Sequence, residues 1–231
     1  MNRWHASPFD RLIDWMPSRL PEVDWLGRFR WGREGFMIDR FLLWIDAVGG
    51  YFVCGDDRIT LGRATPSNNV SVPIEADIGR QHACLERRGD CYVLQPGDDL
   101  RLGEQPVDEP RLLHSGDLLQ LGATVRFRFV QPHALSATAR LERLSHHRTR
   151  PASDGVVLLA ESCILGPSPT AHLPCRRWAG DVILYRCDGT LCVRSANPFQ
   201  VDGKTIRGRA KLTRSSRVVG ADFSFCLEEL P

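Results

Sequence analysis

Three short motifs carry the residues of this sequence whose types could do chemistry. They are Leu61-Gly62-Arg63, Gly79-Arg80-Gln81-His82, and the segment SGDLLQLG at residues 115–122. An arginine guanidinium binds phosphate or carboxylate through a planar fork of donors, and a histidine ring can donate or accept at either nitrogen. These residue types indicate the binding of an anionic group.

No arrangement typical of catalysis accompanies them. The sequence has no GxSxG elbow, Walker loop, GxGxxG fingerprint or metal-spaced His/Glu motif. His146 and His147 are adjacent but have no third ligand, so we interpret them as solvated side chains. We therefore expect no enzymatic activity, no metal and no cofactor.

The elements that must position the motifs are short strands. Between residues 41 and 132, segments such as FLLWID, YFVC, RITLG and VRFRFV are apolar or alternating and rich in β-branched or aromatic residues. Turn signals such as Gly49-Gly50 and Gly89-Asp90 separate them. This spacing predicts an all-β sandwich or barrel.

Strands return from residue 154 to 231, and they form a weak internal repeat of the first β region. RITLGR matches SCILGP, HACLERRGDCYVL matches VILYRCDGTLCVR, and LLQLGATVRFRFV matches RVVGADFSFCLE. The second copy is shorter. It is either a diverged copy of the first β region or an unrelated small β domain that packs against it.

Two further segments flank the β regions. Residues 1–40 are rich in Trp and Pro, and predict either a strap that docks on the following domain or an exposed partner-binding motif. Residues 133–153 are polar and predict a linker, with a possible short helix over ALSATARLERL.

Charge and cysteine content indicate which partners and which cellular compartment to expect. The 231 residues carry a net charge of +2 and 8 cysteines without a CxxC pair. Such a charge gives no broad positive field for nucleic acid or an anionic membrane, so we expect neither as a partner. The apolar windows are interrupted by charges, which fits neither a signal peptide nor a membrane helix. We expect a cytoplasmic protein with reduced cysteines.

The order and spacing of the three motifs, in an all-β setting, resemble the forkhead-associated (FHA) domain over residues 41–132. The family profile has a GR at a strand end, SxxH at the start of another strand, an NG-containing loop, and L..GD.I..G near the end. The resemblance implies a two-sheet sandwich of about eleven strands that binds phosphothreonine peptides through loops at one end.

The resemblance also implies roles for individual residues. Arg63 matches the arginine that contacts the phosphate, unless it is an ordinary surface residue at a strand end. His82 matches the histidine that braces the binding loops, and Gly62, the glycine of the GR motif, is predicted to share this structural role. Arg80 is a candidate second cation.

The chain departs from the family pattern around the phosphate. Gly79 stands at the phosphate-binding serine and offers only a backbone N–H, and the NG loop is replaced by a segment with Asp98 and Asp99. Polar residues of the loop after Arg63 could compensate: Thr65, Ser67, Asn68 and Asn69.

The second copy departs in the opposite way. It resembles a degenerate FHA-like sandwich in which Ser195 and Asn197 fit the family's S.N...VNG loop. Pro167 replaces the arginine, and Ala179-Gly180-Asp181-Val182 replaces SxxH.

Two binding functions remain open. One is an adaptor that recognises phosphothreonine-containing partners through Arg63, Arg80 and the Gly79 backbone. The other is a scaffold that binds proteins without phosphate, through its surfaces or the Trp-rich segment. A structural role within an assembly is a third possibility.

Overall fold

The computed structural model describes residues 22–23, 29–30, 40–67, 69–133 and 135–230. Met1–Gly35 form one compact unit, in which strands β1 (Glu22–Val23) and β2 (Phe29–Arg30) pair antiparallel. Apart from these two strands, the Trp-rich segment interpreted above as a strap or binding motif lies outside the described residues. Asn68 also lies outside them. Phe36–Pro231 form the second unit, which carries the motifs.

The second unit is built from short strands with period-two burial. In β13 (Val125–Val130), for example, Val125, Phe127 and Phe129 are buried while Arg126 and Arg128 are exposed. The other strands up to residue 130 are β3 (Arg40–Ile45), β4 (Gly49–Cys54), β5 (Arg58–Arg63), β6 (Val72–Glu75), β7 (Ala83–Arg88), β8 (Cys91–Leu94), β9 (Leu100–Leu102), β10 (Gln105–Pro106), β11 (Arg111–Leu112) and β12 (Leu118–Leu121).

A second set of strands follows residue 130. These are β14 (Ala139–Arg143), β15 (Arg148–Thr149), β16 (Gly155–Leu158), β17 (Ser162–Gly166), β18 (Leu173–Pro174), β19 (Val182–Cys187), β20 (Thr190–Ser195), β21 (Phe199–Val201), β22 (Lys204–Ile206), β23 (Arg209–Lys211), β24 (Arg217–Val219) and β25 (Ser224–Glu229). The prediction of an all-β fold is confirmed. Within the described part of the chain, no helix is long and apolar enough to cross a membrane.

One long sheet is shared by two sandwiches. Its twelve strands run in the order β10-β9-β12-β13-β14-β16-β4-β3-β25-β24-β21-β22. A six-stranded sheet (β11-β8-β7-β5-β6-β15) covers one face and a five-stranded sheet (β18-β17-β19-β20-β23) covers the other. We call the two halves the first and second sandwich.

The shared strands contribute to two separate cores because alternate side chains point to opposite faces. On β4, Phe52 packs in the first core and Val53 in the second. On β16, Val156 and Val157 divide in the same way. Burial on both faces explains why these strands read as continuous apolar runs.

The two halves of the chain repeat one strand order. The order β6-β5-β7-β8-β11 in the first sandwich corresponds to β18-β17-β19-β20-β23 in the second, including one parallel pair in each. In the shared sheet, β10-β9-β12-β13 corresponds to β22-β21-β24-β25. The sequence repeat therefore has a structural counterpart.

Each half supplies its first strands to the other half. The last strand of the first half, β13, pairs with β14, whereas the last strand of the second half, β25, pairs with β3. Parallel pairing of β4 with β16 then joins the two sets into one sheet. Residues 36–231 are consequently one compact unit.

The helix predicted over ALSATARLERL is wrong. Ala139–Arg143 form β14, in which Ala139 and Leu141 are buried. The apolar residues of the segment fit the two-residue period of a strand as well as the spacing of a helix. The segment forms a strand because it pairs with both β13 and β16. The polar segment 133–153 thus adds strands to both sheets of the first sandwich, since β15 pairs with β6.

Candidate functional site

Gly62 and Arg63 lie where β5 ends. A β-carbon at Gly62 would lie 1.8 Å from the backbone oxygen of Arg80, so only glycine allows this approach. The Arg63 N–H donates to the Gly79 carbonyl at 3.0 Å, which locks the strand end to the 76–82 loop. The Cα atoms of Arg63 and Arg80 therefore lie within roughly 10 Å of each other by chain geometry.

His82 joins the loops at this end of the first sandwich. The ring is buried, and its Nδ1 accepts the Gly79 N–H at 3.0 Å. A neutral ring then carries its proton on Nε2, which donates to the Asp99 carbonyl at 3.2 Å. The Gly122 N–H donates to the same carbonyl at 3.0 Å. One imidazole thus ties together the 76–82, 95–99 and 122–124 loops.

The assignment of Gly79 as a phosphate donor is wrong. Its N–H donates a hydrogen bond to His82 Nδ1, and its carbonyl accepts one from the Arg63 N–H. With no side chain and both backbone groups engaged, Gly79 has nothing left to offer a phosphate. Its role is to hold the loop against β5.

Arg63 and Arg80 both have exposed side chains at this end. Asp77, which sequence reasoning missed, lies 3.5 Å from Arg63 between Oδ1 and Nη1, and both side chains are solvent-exposed. An exposed pair of this kind contributes at most about 1 kcal/mol, so an arriving dianion can displace it. The signal in the sequence was an acidic residue two positions before Gly79.

The loop after Arg63 is anchored at its base. Thr60 and Ser71 exchange hydrogen bonds between their backbone N–H groups and hydroxyls, at 3.1 and 3.0 Å. Ser67 lies exposed in this loop, and Thr65 Oγ1 is buried with no hydrogen-bond partner among the described residues. Of these two hydroxyls, that of Ser67 is accessible to a ligand.

Carboxylates also face this end of the sandwich. Asp98 and Asp99 are exposed, and Asp99 Oδ2 would lie 3.7 Å from a β-carbon at Gly122. Two arginines therefore share the loop end with Asp77, Asp98 and Asp99. Carboxylates beside a phosphate are repulsive, so the local charge favours phosphate less than the two cations alone would.

The second sandwich keeps the close glycine contact but not the cations. A β-carbon at Gly166 would lie 2.0 Å from Asp181 Oδ1, as Gly62 meets Arg80 in the first sandwich. Leu61 pairs with Ala83 and Leu165 with Val182, so Asp181 corresponds to His82. The sequence match above was one residue out of register, a slip that reverses the face of every side chain.

Ser195 is the last residue of β20, and Asn197 lies in the loop between β20 and β21. Ser195 is buried and its hydroxyl accepts the Asn197 N–H at 3.3 Å, whereas the Asn197 side chain is exposed. Asp98 and Asn197 each lie two residues before the next strand of their sandwich, β9 and β21. The asparagine of the second sandwich thus corresponds to an aspartate in the first.

Other reactive groups give no catalytic arrangement within the described residues. All eight cysteines are free, and burial raises the pKa of Cys54, Cys163 and Cys175 to about 12. The described residues hold no group of His, Cys, Asp or Glu side chains suited to a metal ion. The expectation that His147 is solvated is wrong, because its ring packs edge-on against Phe127 at 4.7 Å.

Comparison with protein families gives a match to the part of the first sandwich that contains the loop end described above. The family model of the FHA domain matches residues 59–122, from within β5 to the residue after β12. The match includes Gly62, Arg63 and His82. No curated protein matches the chain.

Proposed function

Residues 59–122 are an FHA domain, a non-catalytic protein-interaction module, and on this premise we propose that the first sandwich recognises phosphothreonine-containing partner proteins. The supporting observation is the pair of exposed arginines at one loop end. Arg63 ends β5, and Arg80 lies in the loop that the Arg63 N–H and His82 hold against that strand.

The chemistry of the ligand fits such a pair. A phosphothreonine carries close to two negative charges and three acceptor oxygens. Guanidinium groups bind phosphate oxygens through charge-assisted hydrogen bonds. The exposed Ser67 could add a hydroxyl donor from the neighbouring loop, and the rigid sandwich limits the entropy lost on binding.

Weak affinity follows from the loss of one donor. A charge-assisted hydrogen bond contributes about 1.5–3 kcal/mol, so a glycine at position 79 lowers affinity about tenfold to a hundredfold relative to a serine. Asp77, which pairs with Arg63, must also be displaced. We therefore expect the FHA domain to bind phosphopeptides in the micromolar range or weaker.

A second candidate function is binding without phosphate. Both backbone groups of Gly79 are engaged and Arg63 already faces a carboxylate, which favours a scaffold that keeps the FHA fold and uses other surfaces. The Trp-rich segment 1–40 is a further candidate for such contacts. A structural role in an assembly would use the same surfaces.

Fluorescence polarisation against a degenerate phosphothreonine library, with its unphosphorylated twin, separates the two functions. The informative variant is Arg63→Ala. Arg58→Ala is the matched control, because Arg58 lies at the opposite end of the same strand and pairs with Glu86 at 2.9 Å.

The proposal expects phosphate-dependent binding that Arg63→Ala weakens at least tenfold and Arg58→Ala leaves unchanged. A loss of this size corresponds to about 1.4 kcal/mol or more. Equal binding to both libraries, or equal loss in both variants, would contradict phosphothreonine recognition and support the scaffold.

A further inference from the structure

The edge strand β23 of the second sandwich carries a row of cations. Arg209 and Lys211 alternate with Ala210 along the strand, and Arg207 lies in the bend just before it and lines the same groove as Arg209. All three cationic side chains are exposed, and none makes a hydrogen bond or ion pair with the described residues. Alternate positions of a strand lie about 6.8 Å apart on one face.

A fourth cation faces this row from the next strand. Arg194 on β20 pairs directly with Arg209 on β23. The Ser195 N–H donates to the Gly208 carbonyl at 3.1 Å and the Leu212 N–H to the Leu191 carbonyl at 2.8 Å, which makes the intervening Arg194–Arg209 pair a non-hydrogen-bonded one. Side chains are closest in such pairs, and like charges placed there are destabilising.

The same hydrogen-bond pattern leaves the outer edge of β23 open. β23 ends the five-stranded sheet and has β20 as its partner strand. Because Gly208 and Leu212 bond towards β20, the backbone groups of Arg209 and Lys211 point away from it. They are available to a further strand.

An apolar surface adjoins the cations. Ile183 and Tyr185 on β19 are half-buried, and together with Arg194, Arg207 and Arg209 they line a groove of about 480 Å³. On the inner face, Ala210 packs against the second core. A ligand here therefore meets cations and apolar side chains together.

We propose that β23 binds an extended acidic segment of a partner protein, which adds to the five-stranded sheet as a sixth strand. Acidic side chains opposite Arg209 and Lys211 would make cross-strand ion pairs, and the residue between them, opposite Ala210, would be apolar. The recognised pattern is acidic–apolar–acidic. This site is separate from Arg63 and goes beyond phosphothreonine recognition.

Protection of the sheet edge does not account for all four cations. Charged side chains on an edge strand prevent unwanted pairing, which would explain Arg209 and Lys211. It does not explain Arg194, which lies one strand inside the edge and faces Arg209. An acidic ligand would compensate both, since its carboxylates relieve the repulsion.

The corresponding strand of the first sandwich provides a control. There β11 occupies the same edge position, but Arg111 lies 3.3 Å from Glu109 and is already neutralised. β11 also has only two residues, Arg111 and Leu112, and so offers a shorter edge. Charge complementarity to an acidic segment is specific to the second sandwich.

Titration of the full chain with a fluorescein-labelled nine-residue peptide of alternating glutamate and valine tests this site at low salt. Arg209→Glu is the informative variant and Arg111→Glu is its matched control. Lys211→Glu is the second variant, because it alters the row without touching the Arg194–Arg209 pair. A peptide with an N-methylated backbone cannot donate the hydrogen bonds of an added strand, so it tests strand addition. A peptide with lysine in place of glutamate tests whether binding depends on negative charge.

Wild type and Arg111→Glu should bind the acidic peptide equally, whereas Arg209→Glu and Lys211→Glu each bind it at least about tenfold more weakly. Arg209→Glu should also melt higher than wild type at low salt, since it replaces a repulsive pair by an attractive one. The proposal would be overturned if wild type did not bind the acidic peptide, or if Arg209→Glu and Lys211→Glu bound it as tightly as wild type. It would also be overturned if wild type bound the N-methylated or the lysine-containing peptide as tightly as the acidic one. Phosphothreonine binding through Arg63 should be unchanged in all three variants, so the two proposals can fail separately.

Discussion

The two sandwiches share a strand order, but the polar residues predicted for one phosphate-binding loop end are divided between them. The first has Arg63 and His82 at its loop end, where the second has Pro167 and Asp181. The second has Asn197 where the first has Asp98. Both keep a glycine, Gly62 or Gly166, pressed against the opposite loop.

The difference separates what the fold requires from what a ligand requires. Substituting a close-contact glycine introduces a clash, and the buried strands must fill two cores, so these positions are constrained in both sandwiches. Exposed groups at the loop end contribute little to stability and can change independently. This difference supports the proposal that phosphate recognition, where it occurs, belongs to the first sandwich.

The largest effect on stability is expected from substituting the glycine that contacts the opposite loop in each sandwich. Gly62→Ala should lower the free energy of unfolding by about 3 kcal/mol, because its β-carbon meets a backbone oxygen. Gly166→Ala should cost about half as much, since its closest contact is with the movable carboxylate of Asp181 and the nearest backbone atom, Asp181 Cα, is 2.9 Å away. Urea unfolding measures both, with Gly180→Ala as the control, because a β-carbon there has no neighbour within 4 Å. Equal losses for all three would contradict the contact.

A buried histidine in each sandwich predicts acid sensitivity. Burial lowers the pKa of His147 and of His172 to about 4, while both titrate near 6.5 when unfolded. The unfolded chain thus takes up protons first as the pH falls, so stability is complete above pH 6.5 and declines towards pH 4. After allowance for solvent screening, each histidine should cost about 2 kcal/mol over this range.

Measuring the free energy of unfolding of His172→Gln across the same pH range separates the contribution of His172 from that of His147. The His172 ring accepts the Ile164 N–H at 2.9 Å, a bond that protonation at Nδ1 would break. The variant should retain the part of the pH dependence due to His147 and lose the rest. A slope identical to that of wild type would show that His172 does not contribute.

Restoring the missing hydroxyl should strengthen phosphate binding in the first sandwich. Gly79 does not have a left-handed φ, and the nearest atom to an added β-carbon is His82 Nδ1 at 3.3 Å, so a serine fits with a small adjustment. Gly79→Ser should raise phosphothreonine-peptide affinity about tenfold through one charge-assisted hydrogen bond. Gly79→Ala, which adds the carbon without the hydroxyl, should give no gain in the same polarisation assay.

A smaller gain should follow from giving the first sandwich the asparagine of the second. Asp98→Asn removes a carboxylate from the loop end and should raise affinity about threefold at low salt. Asp188→Asn, in the β19–β20 turn of the second sandwich, is the control and should change nothing. A gain in both variants would indicate a general charge effect instead of a local one.

The local features of the fold could be predicted from the sequence. Alternation and turn residues located most strands, and the Asp188-Gly189 turn has positive φ at both residues, 50° and 72°, as a two-residue hairpin requires. The apolar run before Gly62 likewise predicted a strand, whereas the bracing role of His82 was implied by the resemblance to the FHA domain. These features depend on neighbours close in sequence or on residue type alone.

Pairing between distant strands could not be predicted. Alternation shows that β3 and β14 are strands but not that β3 pairs with β25 and β14 with β13. The engagement of both Gly79 backbone groups follows from that packing and leaves no mark on the sequence. The ion pair between Asp77 and Arg63 depends equally on the folded loop.

Backbone amide NMR of the isotope-labelled full chain, titrated with the best phosphothreonine peptide, would locate the bound phosphate. If the first sandwich recognises it, shifts should be confined to residues 63–67 and 79–82, with no change at the corresponding residues 167–171 and 178–181 of the second sandwich. Shifts centred on the second sandwich, or equal shifts with the unphosphorylated peptide, would contradict this proposal.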